Sequence, residues 1–472
     1  MELLDLTITQ LRQGFKNKKF TSVEVTKAYL ENIKKTDKDI GAYLVVTENL
    51  ALEQAENADK LISGGEASLL TGVPYSIKDA ILVEGQRATA ASKILENYVA
   101  PYDATVIRKL KKEGAVVLGK TNLDEFAMGV STENSAFKIT KNPHDLTRVS
   151  GGSSGGSAAS VAAREAVYSI GSDTGGSIRL PASFCGVVGL NPTYGAVSRS
   201  GLIAMASSLD QIGPIAKTVE DAKIIFNAIS GKDNLDATSV DYVLKESKTD
   251  IKGLKIGVPK EYFAKGIDPE VEKIIKNAIK KAEEHGAEVL EISLPTTQYS
   301  IACYYIIVPS EVSANLARFD GIKYGLSNQE GNHLLDVYIK SRGQGFGQEP
   351  KRRILIGTYA LSSGYYDAYY KKAQEVRELI KQDFAKAFEK VDLIFSPVSP
   401  ISAFKIGEKK DNPLSMYLMD VYTCPVKLAG LPALSLPAGN IGKLPVGLQI
   451  IGNYFEENKI FSIASFLEKV LQ

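Results

Sequence analysis

The 472 residues predict an α/β fold with a large mixed β-sheet. Two observations carry that reading. Segments with helical spacing of apolar residues alternate with short, apolar, β-rich runs from one end of the chain to the other. Apolar residues make up 44% of the chain and charged residues 24%, the balance of a protein that buries a substantial core. No internal repeat and no linker-like stretch interrupts the pattern, so residues 1–472 are read as one unit.

In chain order, residues 21–35 read as a helix. Thr21 and Glu24 form a capping box, and Val25, Tyr29 and Ile33 form the apolar stripe. Tyr43–Val46 is a strand. Ala51–Ile62 is a helix of small residues stopped by Gly64-Gly65. Gly72–Asp79 is an apolar strand that ends in charge at Lys78. Residues 103–113 form a helix and Ala115–Leu118 a strand. A small-residue helix over 158–163 and a buried strand at Val167–Ile170 follow. Short buried segments are expected at Gly186–Gly189 and Ile212–Ile215, and Thr218–Asp221 caps another helix. Residues about 232–250 are polar and read as a surface excursion. Leu254–Val258 is a strand, and Asp268-Pro269 starts a helix that Gly286 ends. Val289–Leu294 is the next strand. Residues 301–318 and about 351–390 are helical, the second segment long and rich in tyrosine. Strands at Val391–Pro397, Ala433–Pro437 and Val446–Ile451 and a helix over 459–471 complete the chain.

Several function classes are excluded early. A net charge of +1 provides no broad basic field for nucleic acid. Cys185, Cys303 and Cys424 are scattered and form no CxxC pair, which argues against a disulfide framework or a structural zinc and fits a reducing compartment. Met1-Glu2-Leu3-Leu4-Asp5 has no signal-peptide core, and no apolar run reaches membrane-span length. A cytoplasmic protein without membrane contact is expected. His144, His285 and His333 are the only histidines, and each sits in a polar or helix-terminal context, so a histidine base is not expected. Gly114–Thr121 has the spacing of a phosphate loop, but its four middle residues are strand-like and cannot cradle a phosphate.

The richest stretch is 151–179. Gly151-Gly152-Ser153-Ser154-Gly155-Gly156-Ser157 and Ser172-Asp173-Thr174-Gly175-Gly176-Ser177-Ile178-Arg179 flank one helix and one strand. Glycine-rich turns held between packed elements let backbone N–H groups converge on an anion, either a phosphate or a developing oxyanion. An acyl-transfer site needs a nucleophile, a base and oxyanion donors. Ser177 follows Gly175-Gly176, and the N–H groups of Thr174 to Ser177 can point at one spot. Lysine serves as base if burial lowers its pKa, and Lys78 at the end of an apolar strand is placed for that. Ser153, in the other glycine-rich turn, is the natural relay.

These residues resemble the amidase signature family. Lys78 in Ser76-Ile77-Lys78-Asp79 and the two glycine-serine motifs, with Ser153 and Ser177 24 residues apart, carry the resemblance. It implies a mixed-sheet core covered by helices on both faces, with the signature core at about 65–220. It also implies a Ser–cis-Ser–Lys triad of Ser177 (nucleophile), Ser153 (relay) and Lys78 (base). The amides of Thr174, Gly175 and Gly176 would form the oxyanion hole, with Ser154 as a supporting hydroxyl. Ser150 stands where the family pattern has proline.

Asp124–Gly129, Asn315–Gly321, Lys351–Thr358 and Gly364–Tyr370 resemble one branch of the family, the glutaminase subunits of tRNA-dependent amidotransferases, nearly end to end. That resemblance implies hydrolysis of glutamine and delivery of ammonia within a heterotrimer with subunits B and C. The B subunit would hold ATP and Mg²⁺, make the main tRNA contacts, and convert Glu-tRNA(Gln), or Asp-tRNA(Asn), to the amidated form. This chain itself would carry no cofactor or metal. Arg353 would hold the glutamine α-carboxylate and Asp420 its α-ammonium, with Tyr304, Met128 and Gly129 lining the pocket. A guanidinium fork suits a carboxylate and a carboxylate suits an amine. Two alternatives compete: a free-standing amidase for small or aryl amides, and a non-enzymatic scaffold whose loops bind an anion. Arg353 with Asp420 favours an amino-acid amide over the first, and retention of Lys78, Ser153 and Ser177 speaks against the second.

Overall fold

The computed structural model describes residues 2–244, 249–263, 266–409 and 411–471. Its strands are β1 (Tyr43–Val46), β2 (Pro74–Lys78), β3 (Val116–Thr121), β4 (Lys141–Asn142), β5 (Asp145–Val149), β6 (Tyr168–Asp173), β7 (Val188–Asn191), β8 (Gln211–Ala216), β9 (Lys255–Pro259), β10 (Glu288–Ile292), β11 (Leu393–Pro397), β12 (Ala433–Ile441) and β13 (Leu444–Ile451). Eleven of them form one sheet in the order β1-β3-β2-β6-β8-β7-β12-β13-β11-β9-β10, and β4 pairs with β5 apart from it. The sheet is mixed: β2 is parallel to both β3 and β6, the run from β6 to β11 is antiparallel, and β11-β9-β10 is parallel again.

Helices cover both faces. Strand alternation shows this at β11–β13. Leu393, Phe395, Leu434, Leu436, Leu448 and Ile450 join one apolar cluster with the helices Pro269–Glu284 and Glu457–Val470. Ile394, Ala433 and Ile451 join another with the helices Ser300–Asn315, Lys372–Phe388 and Cys424–Ala429. With both faces packed, β2, β3, β6, β8 and β13 are buried at every position, polar residues such as Ser76, Lys78, Ser169 and Asp173 included.

Local signals place most elements. The Thr21 capping box is reciprocal: Thr21 N–H donates to Glu24 Oε2 at 2.7 Å and Glu24 N–H to Thr21 Oγ1 at 3.1 Å. The helix it starts runs to Ile40, where Gly41 takes the left-handed conformation. β3 continues through Gly119-Lys120-Thr121, and Lys120 is buried in an ion pair with Asp79 at 3.0 Å, so this segment is a sheet strand and not a phosphate loop.

The long helix expected over 351–390 is divided. A helix spans Gln348–Leu361, a turn follows with Gly364 at φ +84°, and the chain resumes through Asp367–Lys371 into Lys372–Phe388. Ser362-Ser363-Gly364 are weak helix formers, and a left-handed glycine ends a helix at little steric cost. Four helices, Ile8–Lys16, Leu334–Gly345, Pro413–Tyr417 and Cys424–Ala429, escaped the sequence reading. Residues 232–244 and 249–250 form no helix or strand, and 245–248 lie outside the described residues. No helix among the described residues is long and apolar enough to cross a membrane.

Candidate active site

The site begins at the C-terminal end of β2. Tyr75 and Ile77 point into the apolar cluster, and Tyr75 stacks on Tyr168 of β6. Alternation sends Ser76 and Lys78 the other way, toward the helix Gly155–Ala162, where Ser76 Oγ lies 2.9 Å from Ser160 Oγ. Lys78 is fully buried there. Its Nζ lies 2.8 Å from Ser153 Oγ, 2.9 Å from Ser154 Oγ, 2.9 Å from Ser172 Oγ and 3.3 Å from the Ser172 carbonyl. Burial lowers its pKa to about 7, against the opposing pull of Asp124, Asp173 and Asp210. A lysine held this way is substantially neutral near pH 7, and a neutral amine can accept a proton from a serine hydroxyl.

The loop carrying Ser153 is fixed by Asp124. Asp124 N–H donates to the Ser153 carbonyl at 3.3 Å, and its carboxylate accepts from Thr132 N–H at 2.9 Å and Asn134 N–H at 3.2 Å. Gly152 lies directly against this carboxylate: a Cβ there would fall 2.1 Å from Asp124 Oδ2. The Gly152–Ser153 peptide is cis. Ser154 ties this loop to the end of β6. Its hydroxyl donates to the Ser172 carbonyl at 3.0 Å and accepts from Ser172 N–H at 3.3 Å, and its own N–H donates to the Ser177 carbonyl at 3.0 Å.

The loop after β6 carries Ser177. Its frame is a buried ion pair: Arg179 Nε and Nη2 donate to Asp173 Oδ2 and Oδ1 at 3.1 and 3.0 Å, and Ile178 N–H adds a third bond at 3.1 Å. Burial pushes the Asp173 carboxyl up, but Arg179, Lys427 and the Ile178 N–H together hold it below its ordinary range. Thr174 Oγ1 donates to Asp210 Oδ1 at 2.6 Å. Inside this frame, the N–H groups of Thr174, Gly175, Gly176 and Ser177 donate to no acceptor among the described residues. Four such donors in one turn have the character of an oxyanion site. The Ser177 hydroxyl likewise has no hydrogen-bond partner among the described residues. Its residue is 7% exposed, whereas Lys78, Ser153 and Ser154 are closed off completely.

Tyr304 and Asp420 pack on the same loop. A Cβ at Gly175 would lie 2.6 Å from the Tyr304 hydroxyl, and one at Gly176 would lie 2.7 Å from Asp420 Oδ1 and 2.3 Å from Thr423 Oγ1. Glycine is required here by close approach. Asp420 is buried without a salt bridge among the described residues, and its carboxyl accepts only a long bond from Thr423 Oγ1, at 3.4 Å. Burial, with Asp173 nearby, raises its pKa to about 7, while Arg179 and Arg353 pull the other way.

Arg353 comes from the helix Gln348–Leu361 and is also buried. Its Nε donates to Glu349 Oε1 at 2.8 Å, and the guanidinium lies over the Tyr305 ring at 5.1 Å and the Tyr417 ring at 5.8 Å. Its two Nη groups have no acceptor among the described residues. They face a cavity of about 330 Å³ whose wall includes Gly129, Glu133, Tyr305, Glu349, Arg352 and Tyr417. Lys78, Ser153, Ser177, Tyr304 and Asp420 are not part of that wall. Arg353 is the link, since its charge acts on both Asp420 and Tyr304. Met128 sits in the buried apolar cluster with its carbonyl accepting from Asn134 Nδ2 at 3.0 Å, so of the two adjacent pocket residues expected, Gly129 alone lines the cavity.

Sequence reasoning did not assign Asp124, Asp173, Arg179, Asp210 or Glu349. Some of these had a usable signal: Asp173 and Arg179 close the second glycine-serine motif with opposite charges, and Glu349 precedes Arg353 by one helical turn. Asp124 and Asp210 had none, because their partners are set by loops that only the folded chain brings together. The three cysteines are free and buried.

This mixed sheet, with a buried lysine hydrogen-bonded to Ser153, Ser154 and Ser172, is the framework of an amide-hydrolysing enzyme. Residues 24–461 match the family described as Amidase, and the chain belongs to that family. It is similar to the A subunit of glutamyl-tRNA(Gln) amidotransferase from Caldanaerobacter subterraneus subsp. tengcongensis, with 58% identity covering 99% of this chain and 97% of that protein. The second such A subunit of Clostridium acetobutylicum is 56% identical over 99% of this chain and its own full length. The crystal structure of the glutamyl-tRNA(Gln) amidotransferase A subunit from Thermotoga maritima superposes with a TM-score of 0.83 at 45% identity, covering 99% of this chain and 95% of that one.

Proposed function

We propose that this chain is the glutaminase subunit of a tRNA-dependent amidotransferase, working through Ser177, Ser153 and Lys78. The observation that carries the reading is the fully buried Lys78 amine 2.8 Å from Ser153 Oγ, with its pKa near 7. Neutral Lys78 accepts a proton from Ser153 as Ser153 takes one from Ser177. Ser177 Oγ forms a bond to the side-chain amide carbon of glutamine, and the N–H groups of Thr174 to Ser177 receive the oxyanion. The Lys78 ammonium then returns a proton through Ser153 to the leaving nitrogen. The C–N bond breaks, ammonia departs, and a glutamyl ester remains on Ser177. Water cleaves the ester by the same relay and glutamate leaves.

Two charges support an amino-acid amide as substrate. The Arg353 Nη groups offer a fork to an α-carboxylate, and Asp420 offers an uncompensated carboxyl to an α-ammonium. A free-standing amidase for small amides gains nothing from either charge.

The partner is read from the named relatives and from one surface feature. Leu355 is 71% exposed, and Ile356, Tyr359, Tyr365 and Tyr369 are also exposed along the helix that carries Arg353 and the turn after it. A contiguous exposed apolar group of this kind marks a protein-interaction face. In this reading the chain assembles with subunits B and C in the cytoplasm. The B subunit holds ATP and Mg²⁺, contacts the tRNA, and uses the ammonia to amidate Glu-tRNA(Gln) or Asp-tRNA(Asn). The test is glutamine-dependent amidation by the purified heterotrimer. Turnover with glutamine supports the reading; amidation only with added ammonium salts, by the unmodified heterotrimer, refutes it.

A further inference from the structure

The two charges read as substrate-facing come from segments far apart in sequence, and one side chain joins them. Glu349 is the first-turn carboxylate of the helix Gln348–Leu361, and it is buried apart from the part that faces the cavity. Its Oε1 accepts from Arg353 Nε at 2.8 Å and also from the Tyr417 hydroxyl at 3.0 Å. Its Oε2 accepts from Arg352 Nη1. Tyr417 ends the short helix Pro413–Tyr417, which leads directly into Leu418–Asp420. The Tyr417 ring stacks on Tyr305 with centroids 3.8 Å apart, and both rings face the Arg353 guanidinium.

This arrangement has two geometric consequences. A guanidinium can bind a carboxylate either end-on through Nη1 and Nη2 or side-on through Nε and Nη2. Glu349 occupies Nε, so only the end-on edge is free. The Glu349–Tyr417 bond also ties the Arg353 helix to the segment carrying Asp420, which sets the separation of the two charges. Building on the glutaminase reading, we propose that Glu349 is a positioning residue that fixes Arg353 end-on and holds it at the Asp420 spacing, so that the site selects amides bearing an α-carboxylate.

The test compares two substrates on the full heterotrimer: glutamine and 4-aminobutanamide, which is glutamine without its α-carboxylate. Glu349→Ala is expected to raise KM for glutamine about ten-fold with kcat within about two-fold, because the lost contact is made before and during reaction alike. KM for 4-aminobutanamide is expected to stay within about two-fold of the unmodified heterotrimer. Glu349→Gln should recover part of the glutamine KM, since its amide oxygen can still accept from Arg353 Nε–H. Tyr417→Phe, which leaves Glu349 and the ring stack in place, should raise the glutamine KM in the same selective way by a smaller factor. Equal losses on both substrates, or none on glutamine, overturn the positioning role. Failure of the unmodified heterotrimer to hydrolyse glutamine overturns the underlying functional reading instead.

Discussion

Arg179 holds Asp173 through Nε and Nη2, while its Nη1 donates to the Thr423 carbonyl at 3.1 Å and to Gln449 Oε1 at 2.6 Å. The Ser177 loop is thereby fastened to the segment that follows Asp420. Gln449 extends the link, with Nε2 donating to Ser396 Oγ at 2.9 Å and to the Tyr422 carbonyl at 3.1 Å. One guanidinium sets the position of the Ser177 loop relative to the Asp420 carboxyl.

Replacing Arg179 with methionine leaves Asp173 charged, buried and without its cation. Removing one partner of a buried ion pair costs about 3–5 kcal/mol. Urea unfolding of Arg179→Met should show a loss of that order, and an unchanged midpoint would contradict the role given to this network.

The rate should rise with pH through neutrality. Lys78 must be neutral to accept a proton, and its pKa of about 7 means that acid below that value charges and disables it. Asp420 acts in the same direction: its raised pKa, also about 7, means that it is neutral at lower pH and attracts an ammonium less. The two separate by variant. In Asp420→Asn the pH dependence of KM should vanish, while the rise of kcat with pH persists. A kcat profile flat from about pH 5.5 to 8.5 in the unmodified heterotrimer would remove Lys78 as the base.

Ser177→Ala should abolish ammonia release from glutamine, with a loss of at least about 10³-fold, because the nucleophile is gone. The assembled variant should still amidate tRNA with added ammonium salts. Intact-mass analysis after treatment with a sulfonyl fluoride should show one adduct on the unmodified chain at Ser177 and none there on the variant.

Gly176→Ala tests the close approach of the loop to Asp420. The added methyl carbon would meet Thr423 Oγ1 at 2.3 Å and Asp420 Oδ1 at 2.7 Å, distances that force one segment to move. We expect kcat/KM for glutamine to fall by about 10²-fold, as misplacement by about an ångström can cost that much. Near-normal kinetics would show that the loop and Asp420 are not held in register.

Much of this protein was written locally. The capping box at Thr21, the N-cap at Asp268 and the short apolar-rich segments at β2, β6 and β13 place those elements from sequence alone, because capping and burial act over a few residues. The two glycine-serine motifs pointed to a lysine–serine hydrolase site, because loops that present backbone N–H groups need glycine, and a site lacking a suitable histidine needs another base. The break at 362–364 was present in the composition but was overridden by the helical pattern on either side.

What only the tertiary structure decided is distance. Nothing in sequence separation tells that Lys78 touches Ser172, that Asp420 lies against Gly176, or that Met128 turns into the core while its neighbour Gly129 faces the cavity. The lowered Lys78 pKa is likewise a property of the closed fold, since desolvation exists only once β2, β6 and the helix Gly155–Ala162 have shut out water. The sequence determined which groups were available for chemistry, because reactivity resides in residue type. Packing across the sheet determined which of them meet, because contact between remote segments is set by how whole elements fit together.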